Sequence, residues 1–198
     1  MSAICVDSFA QDKGTTAVTK GEVSQAVDVG KIKDLAKSDP KAAAKLVMTL
    51  PEGDVRANAI CNVVSIWTDK SPDEAVKLTM DLFDGKSREF AISWATLLWA
   101  RKSLEAAKKW TMQLPEGADR DSAISGLVPG WAETSPEAAA KWVVELPNGK
   151  ARNGAISNVA GMWASKSPEA AKKWAMGLPD DKDRSLILET IGRNQKSK

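Results

Sequence analysis

The stretch SPEAAAKWVVELPNGKARNGAISNVAGMWASKSP, from Ser135 to Pro168, decides the fold. Ser135, Pro136 and Glu137 combine a hydroxyl N-cap, a proline at the first helical position and an acid where the helix dipole favours negative charge. From there Ala139, Trp142, Val143 and Leu146 fall at i, i+3, i+4 and i+7, the stripe of a one-sided amphipathic helix. Pro147, Asn148 and Gly149 break it. A second helix starting near Lys150 carries Ile156, Val159, Ala160 and Trp163 at the same spacing, and Ser167-Pro168 closes it while opening the next copy. The stretch is predicted to be a helical hairpin.

Its pattern recurs every 32 residues without insertion or deletion. Pro40, Pro72, Leu104, Pro136 and Pro168 are in step, as are Leu50, Leu82, Leu114, Leu146 and Leu178, and Trp67, Trp99, Trp131 and Trp163. A unit this short cannot bury its own apolar face, so copies must stack on their neighbours. The expected fold is all-α: a right-handed superhelical αα-solenoid of about five hairpins, with units starting near 39, 71, 103, 135 and 167. Gly21 is in register with Gly53 and Leu35 with Trp67, so Glu22 to Lys37 reads as a degenerate second helix that caps the N-terminal end. On this reading residues 1–20 form a mobile leader, 21–193 a single solenoid and 194–198 a frayed polar tail.

Composition narrows the function. With 198 residues, 43% of them hydrophobic, the chain can build a proper core. Lys and Arg total 28 against 26 for Asp and Glu, and the net charge of +2 exerts no global pull toward nucleic acid or an anionic membrane. No apolar run reaches the roughly 20 residues that cross a bilayer. Cys5 and Cys61 occupy unrelated repeat positions and suggest neither a metal site nor a disulfide framework. That pair is compatible with a reducing compartment, so a cytoplasmic location is preferred to an exported mature form. Histidine is absent, which removes the commonest general base and metal ligand, and there is no glycine-rich phosphate loop, HExxH or CxxC. Neither an enzyme nor a cofactor site is expected.

Four groups of residues remain as candidates. Trp110, Trp142 and Trp174 on first helices, with the four second-helix tryptophans, could stack on bases or sugars, but their place on the apolar stripe assigns them to the core. Arg56, Arg88, Arg120, Arg152 and Arg184 stand in the first turn of each second helix, where the dipole disfavours a cation. They could hold an anion, but a structural ladder bonding the carbonyls that end each first helix, or an acid of a neighbouring unit, is preferred. Lys45, Lys77, Lys109, Lys141 and Lys173 lie nearly opposite the apolar stripe, a solvated face or a track for a polyanion. Phe90, Trp94 and Leu97 put a second apolar face on one helix, where other copies carry Asn58, Asn62 and Ser65 or Gly154, Asn158 and Gly161. Phe83 replaces a turn proline in that unit alone. These four residues form a candidate partner-binding patch, unless the leader, through Phe9, covers it. Pro129, between Gly126 and Gly130, is expected to kink its helix.

The unit, S-P-E-A-A-x-K-W, then L-P-x-G, then R and A-I, then W, resembles the tetratricopeptide class of αα-solenoids over about Ser38 to Arg193. It also looks like bacterial tryptophan-containing repeats. The resemblance implies a scaffold presenting a concave surface to peptides or proteins. The expected function is therefore a noncatalytic protein-interaction module. End-to-end self-assembly into a fibre and polyanion binding through the lysines are the alternatives, and nucleic acid is not an expected partner.

Overall fold

The computed structural model describes residues 29–196, and every regular element among them is a helix. The helices are α1 (Val29–Ser38), α2 (Pro40–Met48), α3 (Asp54–Lys70), α4 (Pro72–Leu82), α5 (Gly85–Lys102), α6 (Leu104–Gln113), α7 (Ala118–Thr134), α8 (Pro136–Glu145), α9 (Lys150–Lys166), α10 (Pro168–Met176) and α11 (Asp181–Lys196). First helices thus begin at Pro40, Pro72, Leu104, Pro136 and Pro168, in step with the sequence period. The expected leader lies outside the described residues, as do residues 21–28 of the expected cap and the last two of the tail. The part of the cap that is described is helical, and it buries Ile32 and Ala36.

One residue ends each second helix and starts the next first helix. The backbone N–H of Asp39, Ser71, Ser103, Ser135 and Ser167 donates to the carbonyl of Leu35, Trp67, Trp99, Trp131 and Trp163, at 2.7 to 2.9 Å. The same five residues accept through their own carbonyls from Ala43, Ala75, Ala107, Ala139 and Ala171. Only Asp39 caps with its side chain, accepting from the N–H of Ala42 at 3.1 Å. This corrects the hydroxyl cap expected at Ser135, whose side chain makes no capping bond. At Ser71 the hydroxyl donates to the Asp73 carboxylate instead. The proline that follows most of these residues has no N–H, so the first turn holds one donor fewer to satisfy. At the other turn, Gly53 and Gly117 precede second helices with φ of 116° and 144°, values that L side chains rarely adopt.

The chain divides into two compact units between Ala95 and Thr96, inside α5. In the first unit α1 packs on α2 and α3, α3 on α2 and α4, and α2 on α4. In the second, α7 packs on α6, α8 and α9, and α9 in turn on α8, α10 and α11. Its second helices therefore adjoin one another, while its first helices meet mainly second helices. Ala43, Ala75, Ala107, Ala139 and Ala171 are fully buried, small enough to let helices approach, and Ile60, Ile92, Ile124 and Ile156 fill the space beside them. Buried Thr68, Thr79 and Thr111 satisfy their hydroxyls by donating to the carbonyl four residues back.

α7 continues through Pro129. Beside it Gly130 lies close against a neighbouring helix: a Cβ there would lie 3.1 Å from both the Leu97 carbonyl oxygen and the Ala100 Cβ. A backbone oxygen cannot swing aside. Gly130→Ala is expected to cost about 1 to 3 kcal/mol, the range for overpacking, as read by urea denaturation; an unchanged midpoint would show that the helices part freely. Cys61 is buried in α3.

Candidate functional site

The arginines close the hairpins. Arg56 directs Nε, at 2.8 Å, and Nη2 onto the Leu50 carbonyl just past the end of α2. Arg88 Nε reaches the Phe83 carbonyl at 2.8 Å, Arg152 Nη2 the Val144 carbonyl at 3.1 Å and Arg184 Nη2 the Leu178 carbonyl at 2.8 Å. Carbonyls at a helix C-terminus carry partial negative charge, and this offsets the cost of placing a cation at the start of the next helix. Arg120 differs, with Glu116 and the Met112 sulfur both 3.8 Å away. Arg152 makes a further contact that joins α9 to α11: Nη1 and Nη2 grip both carboxylate oxygens of Asp183, the first at 2.6 Å. These side chains are only 11% and 7% exposed. The hydrogen bonds to Asp183, assisted by its charge and opposed by burial, hold the Arg152 guanidinium above its ordinary value.

Two exposed carboxyls, Asp73 and Asp180, sit below the ordinary carboxylate range. Each has a helix-terminal cause. The Ser71 hydroxyl stabilises Asp73, and the backbone N–H groups of Asp183 and Lys182 bond Asp180 at 2.9 and 2.8 Å. Asp180 caps α11, and Asp73 lies in the first turn of α4, so both are tied to helix N-termini.

The aromatic candidates are not arranged as an open patch. Phe83 is 2% exposed, its ring 6.0 Å from that of Trp67, so it is a core residue that offers nothing to a partner. The reason lies one turn earlier. Later copies place Trp110, Trp142 and Trp174 beside their second-helix tryptophan, whereas Leu78 stands at the matching position in α4, and Phe83 supplies a ring to Trp67 instead. Phe90 and Trp94, in the first unit, are half-buried. The Trp94 indole N–H donates to the Ser65 hydroxyl of α3 at 3.0 Å. Leu97, in the second unit, is also half-buried and packs toward Gly130. Small residues on one helix thus receive larger ones from the next. Further along the second unit Asn194 donates to the Gly161 carbonyl at 2.8 Å. Trp94→Ala should accordingly lower stability by about 2 kcal/mol, part burial and part lost hydrogen bond; an unmoved melting temperature would restore Trp94 to the list of free contact residues. Phe9, the expected cover for this face, lies outside the described residues.

Lys45, Lys77, Lys109, Lys141 and Lys173 are all exposed. Lys108, on another face of α6, lies over the rings of Trp131 and Trp142, 5.1 and 5.9 Å from their centroids, and covers that pair with its stem and charge. Sequence reading missed Lys108 and Asp183, since neither position is constant in the repeat: Ala44, Val76 and Ala140 match the first, and Val55, Ser87 and Ala151 are among those that match the second.

On the second helices the core positions stay apolar while the outward ones change. Asn58, Phe90, Ser122, Gly154 and Leu186 are equivalent, as are Asn62, Trp94, Gly126, Asn158 and Thr190. Asn58, Gly154 and Asn158 are exposed, whereas Gly126 is buried. No described helix is long and apolar enough to cross a membrane. Comparison with known proteins adds no assignment: no protein family, curated protein or solved structure matches the chain.

Proposed function

We propose that the chain is a noncatalytic interaction scaffold in which helical hairpins of the tetratricopeptide-like kind stack as a solenoid and offer their outward positions to a peptide or protein partner. The observation that supports this reading is that second-helix positions outside the core stripe change from copy to copy, with Asn58 and Asn158 exposed, on a frame whose buried alanines and isoleucines recur. Part of that variety serves packing between neighbouring helices, and the exposed remainder offers recognition distinct side chains at defined spacing. The use of the arginines as hairpin closures, of Asp180 as a cap and of Asp73 as the acceptor of the Ser71 hydroxyl leaves these charged groups occupied with structure.

Selection of displayed peptides on the immobilised chain tests the reading. Enrichment of one sequence pattern, lost when Asn58 and Asn158 are changed to Asp, is the expected result; a selection that converges on nothing counts against it. The exposure of all five ladder lysines favours a second reading, binding of a polyanion. In that case affinity for heparin falls steeply and linearly in log–log form as salt is raised, and a flat salt response removes the reading.

A further inference from the structure

We propose that a cavity beside Trp67 and Leu78 receives a tryptophan side chain from the partner peptide. The inference rests on the interaction reading and narrows it to one kind of contact. In the second unit, α6, α8 and α10 each place a tryptophan against the tryptophan of the preceding second helix: Trp110 on Trp99, Trp142 on Trp131 and Trp174 on Trp163, with ring centroids 5.8, 5.5 and 5.7 Å apart. The matching position in α4 is Leu78. Phe83 restores an aromatic neighbour to Trp67, but it does not line the space beside Leu78. A cavity of about 440 Å³ remains there, among Pro40, Ile66, Trp67, Ala75 and Leu78.

The shape and chemistry of this cavity select its occupant. Where the repeat closes the equivalent position from within, it does so with an indole, a flat apolar body carrying one N–H. The cavity wall is already fixed, because Trp67 donates its own indole N–H to the Ala36 carbonyl at 3.0 Å. No large rearrangement precedes binding, so little ordering cost opposes it. The rim is charged, with Lys37 and Lys70 as cations and Asp69 and Glu74 as anions. Such a rim complements the polar backbone and flanking side chains of a peptide, while the apolar wall takes its ring. A buried tryptophan in a pocket with a polar rim is the usual form of an interaction hot spot.

The test uses the full chain titrated with N-acetyltryptophan amide and followed by methyl NMR. Saturable shifts confined to the methyls of Ile66, Leu78, Ala36 and Ala75 are expected. Leu78→Trp installs the residue that three other copies carry, and it should weaken the probe by about tenfold or more without lowering the melting temperature. Leu46→Trp, at the same repeat position but away from the cavity, should leave probe affinity unchanged. Shifts that are absent or scattered over the chain overturn the proposal, independently of whether either variant folds. Equal probe binding by Leu78→Trp also overturns it. A change in sedimentation on Leu78→Trp, without probe binding by the parent chain, assigns the cavity to a second copy and likewise overturns it. Probe binding at the cavity combined with a failed peptide selection removes the scaffold reading and leaves the indole site standing.

Discussion

Trp99→Ala is expected to lower stability by about 3 to 5 kcal/mol, the range for truncating a large aromatic in a core. Trp99 is 8% exposed, and its ring meets Trp110 at 5.8 Å and a tilt of 44°. Truncation removes the transfer energy of the indole and opens a void. A close-packed interior collapses only partly into such a void, so its cost adds to the transfer energy. The ring pair adds a coupling of about 0.5 to 1.5 kcal/mol, so Trp99→Ala and Trp110→Ala together should cost less than their sum. Urea denaturation at constant slope reads the effect. A loss below about 1 kcal/mol would mean that the tryptophans are not the ladder that holds the hairpins together.

Asp183→Ala is expected to cost a comparable amount, about 3 to 5 kcal/mol. The Arg152 guanidinium, 11% exposed, would keep its bond to the Val144 carbonyl but lose both contacts to the carboxylate. Its Nε is buried and already lacks a partner, so the charge would be left poorly satisfied in a region from which water is excluded. Most of the cost is that stranded cation and not the net worth of the pair. Replacing both residues with leucine should therefore recover much of the loss. A single Asp183→Ala variant as stable as the parent would show that water reaches Arg152 freely, and that α11 is held to α9 without the ion pair.

Helix boundaries were legible in the sequence because they are written in residues whose backbone preferences are strong: Ser-Pro at the start of three of the five hairpins and Asp-Pro at another, with a glycine near the turn between the two helices. The tryptophan and alanine ladders were legible because their spacing matches the helix period. What the sequence could not convey was which atoms do the work. Ser135 suits a side-chain cap, yet its carbonyl and N–H serve instead. Phe83 occupies a turn position and read as exposed, but a turn residue can fold its ring inward when a neighbour such as Leu78 is shorter than its counterparts. Phe90, Trp94 and Leu97 read as a free apolar face because helical spacing shows which residues share a side of a helix, not which smaller residues, here Ser65 and Gly130, stand opposite. Asp183 was silent because its repeat position is not constant: Asp119 and Asp183 carry an acid there, whereas Val55, Ser87 and Ala151 do not. The cavity at Leu78 could have been found from the register alone, by asking what fills the place of a missing indole.

The scaffold reading is tested most directly by calorimetric titration of the strongest selected peptide against the parent chain and against Asn58→Asp and Asn158→Asp, with the melting temperature of each protein recorded. The account predicts affinity reduced by about tenfold or more in at least one variant while both melt with the parent, since these side chains are exposed and support no core contact. Affinity unchanged in both variants would contradict it.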